Sequence, residues 1–418
     1  MTKSDDKVPA LRFKGFTDEW EQRKLKNITK RISRKNLNLD STLPLTISAQ
    51  YGLVDQRKFF DKQIASKKLE NYLLLKNGEF AYNKSYSKDY PFGAIKRLNN
   101  YKLGVLSTLY IAFKPVSINT DYLEEYFDST KWYKEIYKRA TEGARNHGLL
   151  NISPQDFFEL NLSIPNNRIE QERISKILKL LSLLITLQQR KEKQIKLLKQ
   201  AMFQTLFTNK NVPQLRFKGF TDNWEQRKLG DLTQRIKSYP ISHDAEINKI
   251  TGTKYIHYGD IHTGKLKRIT NEKILPNIND NNYIPLKSGD VIVADASEDY
   301  KGIADACVID LMKEHYKIVS GLHTIVFRPN EKLKSDFLYT YLHTSIFKHY
   351  GYRVGTGLKV FGISYNNLSN MKIKLPKIDE QNKVDKIINI VTNLVTLQQN
   401  KTKKLENLKQ FLLQNMFI

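Results

Sequence analysis

Eighteen residues near the start of the chain recur at its midpoint: residues 8–25 read VPALRFKGFTDEWEQRKL and residues 212–229 read VPQLRFKGFTDNWEQRKL, differing only at Ala10/Gln214 and Glu19/Asn223. An internal period constrains architecture before any other signal does. Here it is about 205 residues, far above the 20–50 of a stacked solenoid, so the chain reads as two copies of one large module.

A second repeated stretch closes each module. Ile164-Pro165 leads through Gln171 into a helical run ending near Phe207, and Leu375-Pro376 leads through Gln381 into a run ending near Phe417. Thr186-Leu187-Gln188-Gln189 returns as Thr396-Leu397-Gln398-Gln399, and Lys199-Gln200 as Lys409-Gln410. Between these landmarks, roughly over 33–160 and 237–370, the copies share little beyond Tyr51-Gly52 with Tyr258-Gly259 and Lys76-Asn77-Gly78-Glu79 with Lys287-Ser288-Gly289-Asp290. The frame is duplicated and the contents differ. That pattern suits a frame that holds something constant while the contents read two different things. The boundaries expected are a first globular domain at 1–165, a helix at 166–208, a second globular domain at 209–376 and a helix at 377–418.

Both runs carry apolar residues at heptad spacing, the mark of a helix-pairing seam. Ile174, Ile177, Leu181, Leu184, Ile195, Leu198 and Met202 take the a and d positions of the first, and Val384, Ile387, Val391, Leu394, Leu405, Leu408 and Leu412 those of the second. Each stripe is interrupted once, by Gln188 with Lys191 and by Gln398 with Lys401. A pseudo-twofold relation between the modules predicts antiparallel pairing, with the two polar layers meeting. At 1.5 Å per residue a helix of about 38 residues spans roughly 55 Å, which suits a rigid spacer better than a lid on one domain.

A formal charge of +26 favours an extended polyanion as partner. Cys307 is the single cysteine, which excludes an intramolecular disulfide and the cysteine-based zinc modules. No apolar run approaches the 18 residues of a membrane span, and MTKSDDKVPA lacks the apolar stretch of a signal peptide, so a cytoplasmic location is expected. Each globular stretch reads as mixed α/β. Strands are expected at Glu79–Tyr82, Tyr110–Pro115, Asp290–Val293 and Thr324–Pro329, with helices over Tyr122–Tyr137 and Phe337–Tyr350.

Basic and aromatic residues between these elements are the candidate DNA contacts. They are Arg57, Lys58, Lys84, Tyr86, Lys88, Arg145, Asn146 and His147 in the first copy. In the second they are Lys254, His257, Lys265, Arg268, Tyr300, Lys301, Arg353 and Lys359. Lysine and arginine position a duplex through its phosphates, and Arg145 with Asn146 have the side chains that read guanine and adenine edges.

A search for catalytic groups returns little. Gly355-Thr356-Gly357 lacks the rest of a nucleotide-binding fingerprint, and no Asn/Asp-Pro-Pro-aromatic tetrapeptide of amino-methyltransferases occurs. The pairs His257/His262 and His343/His349 have no third ligand at metal-site spacing. Asp290 with Asp299-Tyr300-Lys301 loosely matches the carboxylates and lysine of a magnesium-dependent nuclease, although the first copy has Pro91 where the lysine would stand.

Two dissimilar α/β domains, each followed by a long helix, resemble the specificity subunit of Type I restriction–modification enzymes. The likeness rests on the helix entries Ile164-Pro165 to Glu170-Gln171 and Leu375-Pro376 to Glu380-Gln381, and on the openings Pro9–Trp20 and Pro213–Trp224. The first entry has one more residue between its pairs. The resemblance implies a target-recognition domain in each half reading one half of a split, asymmetric DNA site. It implies paired helices that set the gap and dock two modification subunits. S-adenosylmethionine, ATP and Mg2+ would be bound by the modification and restriction subunits, leaving this chain without cofactor or catalysis. The competing readings are a stand-alone nuclease or methyltransferase using Asp290, Asp299 and Lys301, and a coiled-coil adaptor that binds no DNA.

Overall fold

The computed structural model describes residues 7–61, 68–85, 90–139, 150, 152–297, 304–357 and 361–418. The chain forms two compact units, one of residues 1–189 with 400–418 and one of residues 190–399. Each unit therefore holds one globular domain and parts of both long helices.

In the first unit, four antiparallel strands lie in the order Thr29–Arg31, Ile111–Pro115, Phe80–Asn83 and Ala94–Arg97. Gly78, at φ 84°, makes the turn into Phe80–Asn83, and Glu79 locks it by accepting the Lys76 N–H at 2.7 Å. The second unit repeats the device with Gly289 (φ 95°) and Asp290, which accepts the Lys287 N–H at 2.8 Å. A backbone with positive φ selects glycine at both places. The second sheet has five strands in the order Thr233–Ile236, Thr324–Pro329, Val291–Ala294, Ala306–Ile309 and Arg268–Ile269, the last pair parallel. The halves differ beside these sheets. A hairpin of Leu45–Ser48 and Gly52–Asp55 stands in the first, whereas Thr253–Ile256 pairs parallel with Lys317–Ser320 in the second.

The helical stretch expected over Tyr122–Tyr137 is two helices, Thr120–Asp128 and Tyr133–Arg139, and that over Phe337–Tyr350 is Ser335–Leu342 and Ser345–Val354. Hydroxyl side chains cause both interruptions by competing for backbone partners. Ser129 Oγ donates to the Tyr126 carbonyl at 2.6 Å, and Thr344 donates to Tyr341 while accepting the Phe347 N–H that caps the next helix.

The long helices are Arg168–Leu206 and Ile378–Asn415, and they pack antiparallel inside each unit. In the first, Ile174, Leu178 and Leu181 share a core with Leu412, Leu413, Met416 and Phe417. In the second, Leu206 and Phe207 share a core with Val384 and Ile388. Gln189 donates to Glu406, and Glu192 bonds to Gln399, so the polar layers are joined across the pair by carboxamide–carboxylate contacts.

The duplicated letters hold this arrangement together. Arg12 makes a two-pronged contact with Glu170 at 2.7 and 2.9 Å, and Arg216 repeats it on Glu380 at 2.8 and 2.9 Å. The next residue of each motif is a splint. Gln171 donates to the Pro165 carbonyl and accepts the Asn119 N–H, while Gln381 donates to Pro376 and accepts the Lys334 N–H. Each glutamine thus ties the entry of its helix to the loop before Thr120–Asp128 or Ser335–Leu342. Trp20 and Trp224 are buried beside them.

Candidate nucleic-acid interface

Of the contacts expected in the first domain, Arg57 and Lys58 lie on a short helix, Gln56–Phe60, that follows the hairpin. Asp55 caps this helix through the Arg57 N–H and also receives the Arg57 guanidinium at 3.2 Å. Lys58 is exposed, and next to it Phe59 and Phe60 stand in the solvent edge-to-face at 4.9 Å. Tyr51, at the tip of the hairpin, is 67% exposed. Exposed aromatic faces beside cations are what base stacking and phosphate contact require. The two phenylalanines and Tyr51 were not among the expected contacts, although the run Arg57-Lys58-Phe59-Phe60 carries the signal. Lys84 is half-buried, and its carbonyl accepts the Leu150 N–H. Tyr86, Lys88, Arg145, Asn146 and His147 lie outside the described residues.

Three of the expected contacts in the second domain serve its interior instead. Lys254 is 5% exposed; its ammonium donates to the Leu275 carbonyl at 2.7 Å and to Asn277, and burial holds its pKa below the usual lysine value. A buried ammonium is retained only when it is hydrogen-bonded. His257 is also buried and caps the helix Tyr258–His262 by accepting the Gly259 N–H at Nδ1. Arg268 bridges Asp310 at 2.8 Å and Asp336 at 2.7 Å beneath the Tyr339 ring. Lys265 is exposed and paired with Asp260. Arg353, in the last turn of Ser345–Val354, is exposed with its guanidinium 5.8 Å from the Tyr350 ring. Tyr300, Lys301 and Lys359 lie outside the described residues.

Asp290 is not a magnesium ligand in waiting. It is fully buried, braces the turn described above, and takes both prongs of Arg328 at 2.7 Å each. Glu79 with Arg34 is its counterpart in the first domain. Asp299, its supposed companion, lies outside the described residues, and among the described residues no group of three or more His, Cys, Asp or Glu could hold a metal.

The helix seam is displaced by one residue at six of the fourteen expected positions. Ile174, Leu181, Val384 and Val391 are buried as expected, Ile195 and Leu405 are half-buried, and so are Ile177 and Ile387, which pack against their own domain's core. Leu184, Leu198, Leu394 and Leu408 are exposed. The covered line instead runs Ile174, Leu178, Leu181, Ile185, Gln188, Glu192, Ile195, Lys199 and Met202. On the other helix it runs Val384, Ile388, Val391, Val395, Gln398, Thr402, Leu405, Lys409 and Leu412. Both alternate four and three residues without a break, the spacing that keeps a stripe facing its partner. The displaced leucines belong to a second, exposed apolar line on each helix, with Leu180, Leu183 and Leu187 on the first and Ile390 and Leu397 on the second.

Known proteins bear on this architecture. Residues 221–407 match the family model of the Type I restriction modification DNA specificity domain. The MjaVIII specificity subunit of a Type I restriction enzyme from Methanocaldococcus jannaschii is 24% identical over 318 residues, covering 74% of this chain and 72% of the relative. Two solved structures share the fold. The Type I restriction–modification S subunit from M. genitalium has a TM-score of 0.56 at 12% identity, over 98% of this chain and 99% of that one. A chain from a structure on assembly and conformational transition of the type I system has a TM-score of 0.54 at 16% identity, over 95% and 97%. The resemblance carried by the repeated motifs is borne out: residues 221–407 match the Type I specificity domain, and the chain is similar over most of its length to a Type I specificity subunit. No helix among the described residues is long and apolar enough to cross a membrane.

Proposed function

We propose that this chain reads a split, asymmetric site on double-stranded DNA and directs methylation and cleavage by subunits bound to it. The observation that carries the reading is the contrast between frame and contents. The Arg12–Glu170 and Arg216–Glu380 clamps and the two glutamine splints recur with the same partners in both copies. The surfaces beside them differ, with Tyr51, Arg57, Lys58, Phe59 and Phe60 in one domain and Lys265, Tyr352 and Arg353 in the other. One frame with two surfaces suits two different half-sites. Phosphate contacts from the net charge of +26 supply affinity, and groove contacts supply the sequence.

The exposed apolar lines, Leu180, Leu183, Leu184 and Leu187 on one helix and Ile390, Leu394 and Leu397 on the other, are separate surfaces for the modification subunits, two in number. Restriction subunits join that complex. S-adenosylmethionine, ATP and Mg2+ belong to those partners, and this chain contributes recognition without catalysis in the cytoplasm. The globular domains are taken as 1–165 and 209–376, with the helices at 166–208 and 377–418 as the spacer between half-sites. Purifying the chain with its modification subunits and selecting bound duplexes from a random pool tests this. A two-part motif with a fixed gap supports it, whereas selection of no motif by an assembled complex would refute it.

A further inference from the structure

In the second domain two histidines share one arrangement. His243 Nδ1 lies 2.5 Å from Glu246 Oε1, and His323 Nδ1 lies 3.2 Å from Asp295 Oδ1. An ionised carboxylate can only accept, so each imidazole donates from Nδ1 and leaves Nε2 as its outward atom. Both are exposed, by 60% and 49% of the side chain. Between them run two further rings. His243 lies against the buried His257 ring at 3.7 Å, tilted by 36°; His257 meets Tyr258 at 4.6 Å, and Tyr258 meets His323 edge-on at 5.3 Å. The result is a continuous ring surface ending in two oriented imidazoles.

The backbone at His323 adds an independent sign. Its φ is +57°, a conformation that costs a non-glycine residue energy and that clusters at functional sites. The surroundings impose it. Asp295 donates its N–H to the His323 carbonyl at 3.1 Å, and Leu322 donates to the Ile241 carbonyl at 3.0 Å. Asp295 thus fixes both ends of His323, main chain and ring, and is itself held by the Ile363 N–H on its carbonyl. The corresponding position in the first domain, two residues before Ile111 rather than Ile325, is Leu109, which is 71% exposed. The histidine device is a property of one domain.

We propose that His243 and His323, oriented by Glu246 and Asp295, donate from Nε2 to acceptors on the DNA half-site read by the second domain, so that this half-site alone is bound in a proton-linked way. This rests on the reading of the chain as a DNA-recognition subunit. The acceptor is either a phosphate oxygen or the O6/N7 edge of guanine, both of which take a cationic donor. Charged neighbours facing the row are Glu246, Asp260 and Asp295, with Lys265 held on Asp260. Burial first, and the adjoining His243 second, hold the pKa of His257 below the ordinary imidazole value, and its Nδ1 accepts the Gly259 N–H, so it serves the interior rather than the ligand.

The test uses the full complex with modification subunits and its selected duplex, with affinity measured from pH 5.5 to 8. Asparagine tolerates the left-handed backbone, so His323→Asn keeps the turn. Wild type should bind more tightly as pH falls. His323→Asn and His243→Gln should each bind about 10-fold more weakly at pH 6 and converge on wild type by pH 8. Asp295→Asn keeps the main-chain N–H that holds the turn but loses the charged acceptor that orients the ring, so it should weaken binding at pH 6 as His323→Asn does, which a role through the main-chain bond alone would not do. A loss spread evenly over all sequences, with a shallower salt dependence, assigns the contact to phosphate; a loss of discrimination at one guanine assigns it to the base. A complex that binds its site with a flat pH profile and tolerates both histidine substitutions overturns the proposal alone. A complex that binds no specific site overturns the reading beneath it.

Discussion

Replacing Glu380 by alanine removes the carboxylate from a pair in which the glutamate side chain is 2% exposed and the arginine 12%. The loss is that of two charge-assisted hydrogen bonds, at 2.8 and 2.9 Å, and it leaves the Arg216 guanidinium with the Asp222 carbonyl in place of its contacting counter-ion at the start of the C-terminal helix. Breaking one partner of a buried ion pair costs about 3–5 kcal/mol, mostly because the survivor stays desolvated. With an m-value of about 2 kcal/mol per molar urea, the unfolding midpoint of the unit should fall by roughly 1.5–2.5 M. Replacing both partners, Arg216→Met with Glu380→Leu, removes the stranded charge and should restore most of that loss. Urea titrations of the two singles and the double form a cycle whose coupling measures the clamp. The first unit supplies a replicate, since Arg12 and Glu170 have the same geometry. Half-buried Glu159, held by the exposed Lys24 and Lys26, supplies the control, and its replacement by glutamine should leave stability near wild type. A Glu380→Ala midpoint within experimental scatter of wild type, or a double variant as unstable as the single, would refute the assignment of the repeated motif to structure.

Other outcomes follow from the same geometry. Leu178→Asp places a charge in a fully buried seam position and should destabilise the first unit by about 3 kcal/mol or more, whereas Leu184→Asp should leave stability near wild type and instead weaken assembly with modification subunits; thermal melts and co-purification separate the two. The Asp385 carboxyl is pushed up to about 8, by burial first and by Asp336 second. An acid raised above its unfolded value takes up a proton on folding, so stability should fall as pH rises from about 4 to about 8, and Asp385→Asn should flatten that slope and gain about 1–3 kcal/mol at pH 8, read by urea midpoints across the range. Inserting seven residues into both long helices adds about 10 Å of rise, or about three base pairs, and should lengthen the gap between half-sites without altering either one; an unchanged gap would sink the ruler role.

The repeat made the duplicated frame legible, but not what its letters do. Arg12 and Glu170 stand 158 residues apart, and nothing local announces that they meet. Heptad spacing revealed the paired helices, yet six of the fourteen seam positions lie one residue off because each helix is apolar along two lines. Leucines of the solvent-facing line, such as Leu184 and Leu198, outweigh Glu192 and Lys199 in any count of hydrophobic residues, although the latter sit on the covered line. Charge was the least transferable signal. Lys254, Arg268 and Asp290 were read as surface chemistry because their types are usually exposed, and each is instead consumed by a partner that only the tertiary fold supplies. The breaks at Ser129 and Thr344 went unseen for a related reason, since a hydroxyl that caps a helix has the same letter as one that merely decorates it.

The central claim is that this chain alone decides which DNA sequence its partners modify. Mapping methylated bases across the genome of a strain with the gene, a strain without it, and a strain carrying residues 209–376 exchanged for those of another specificity subunit tests it most directly. One split, asymmetric methylated motif should vanish on deletion and change in one half only on exchange. Methylation that persists unchanged after deletion, or an exchange that alters both halves or neither, would contradict it.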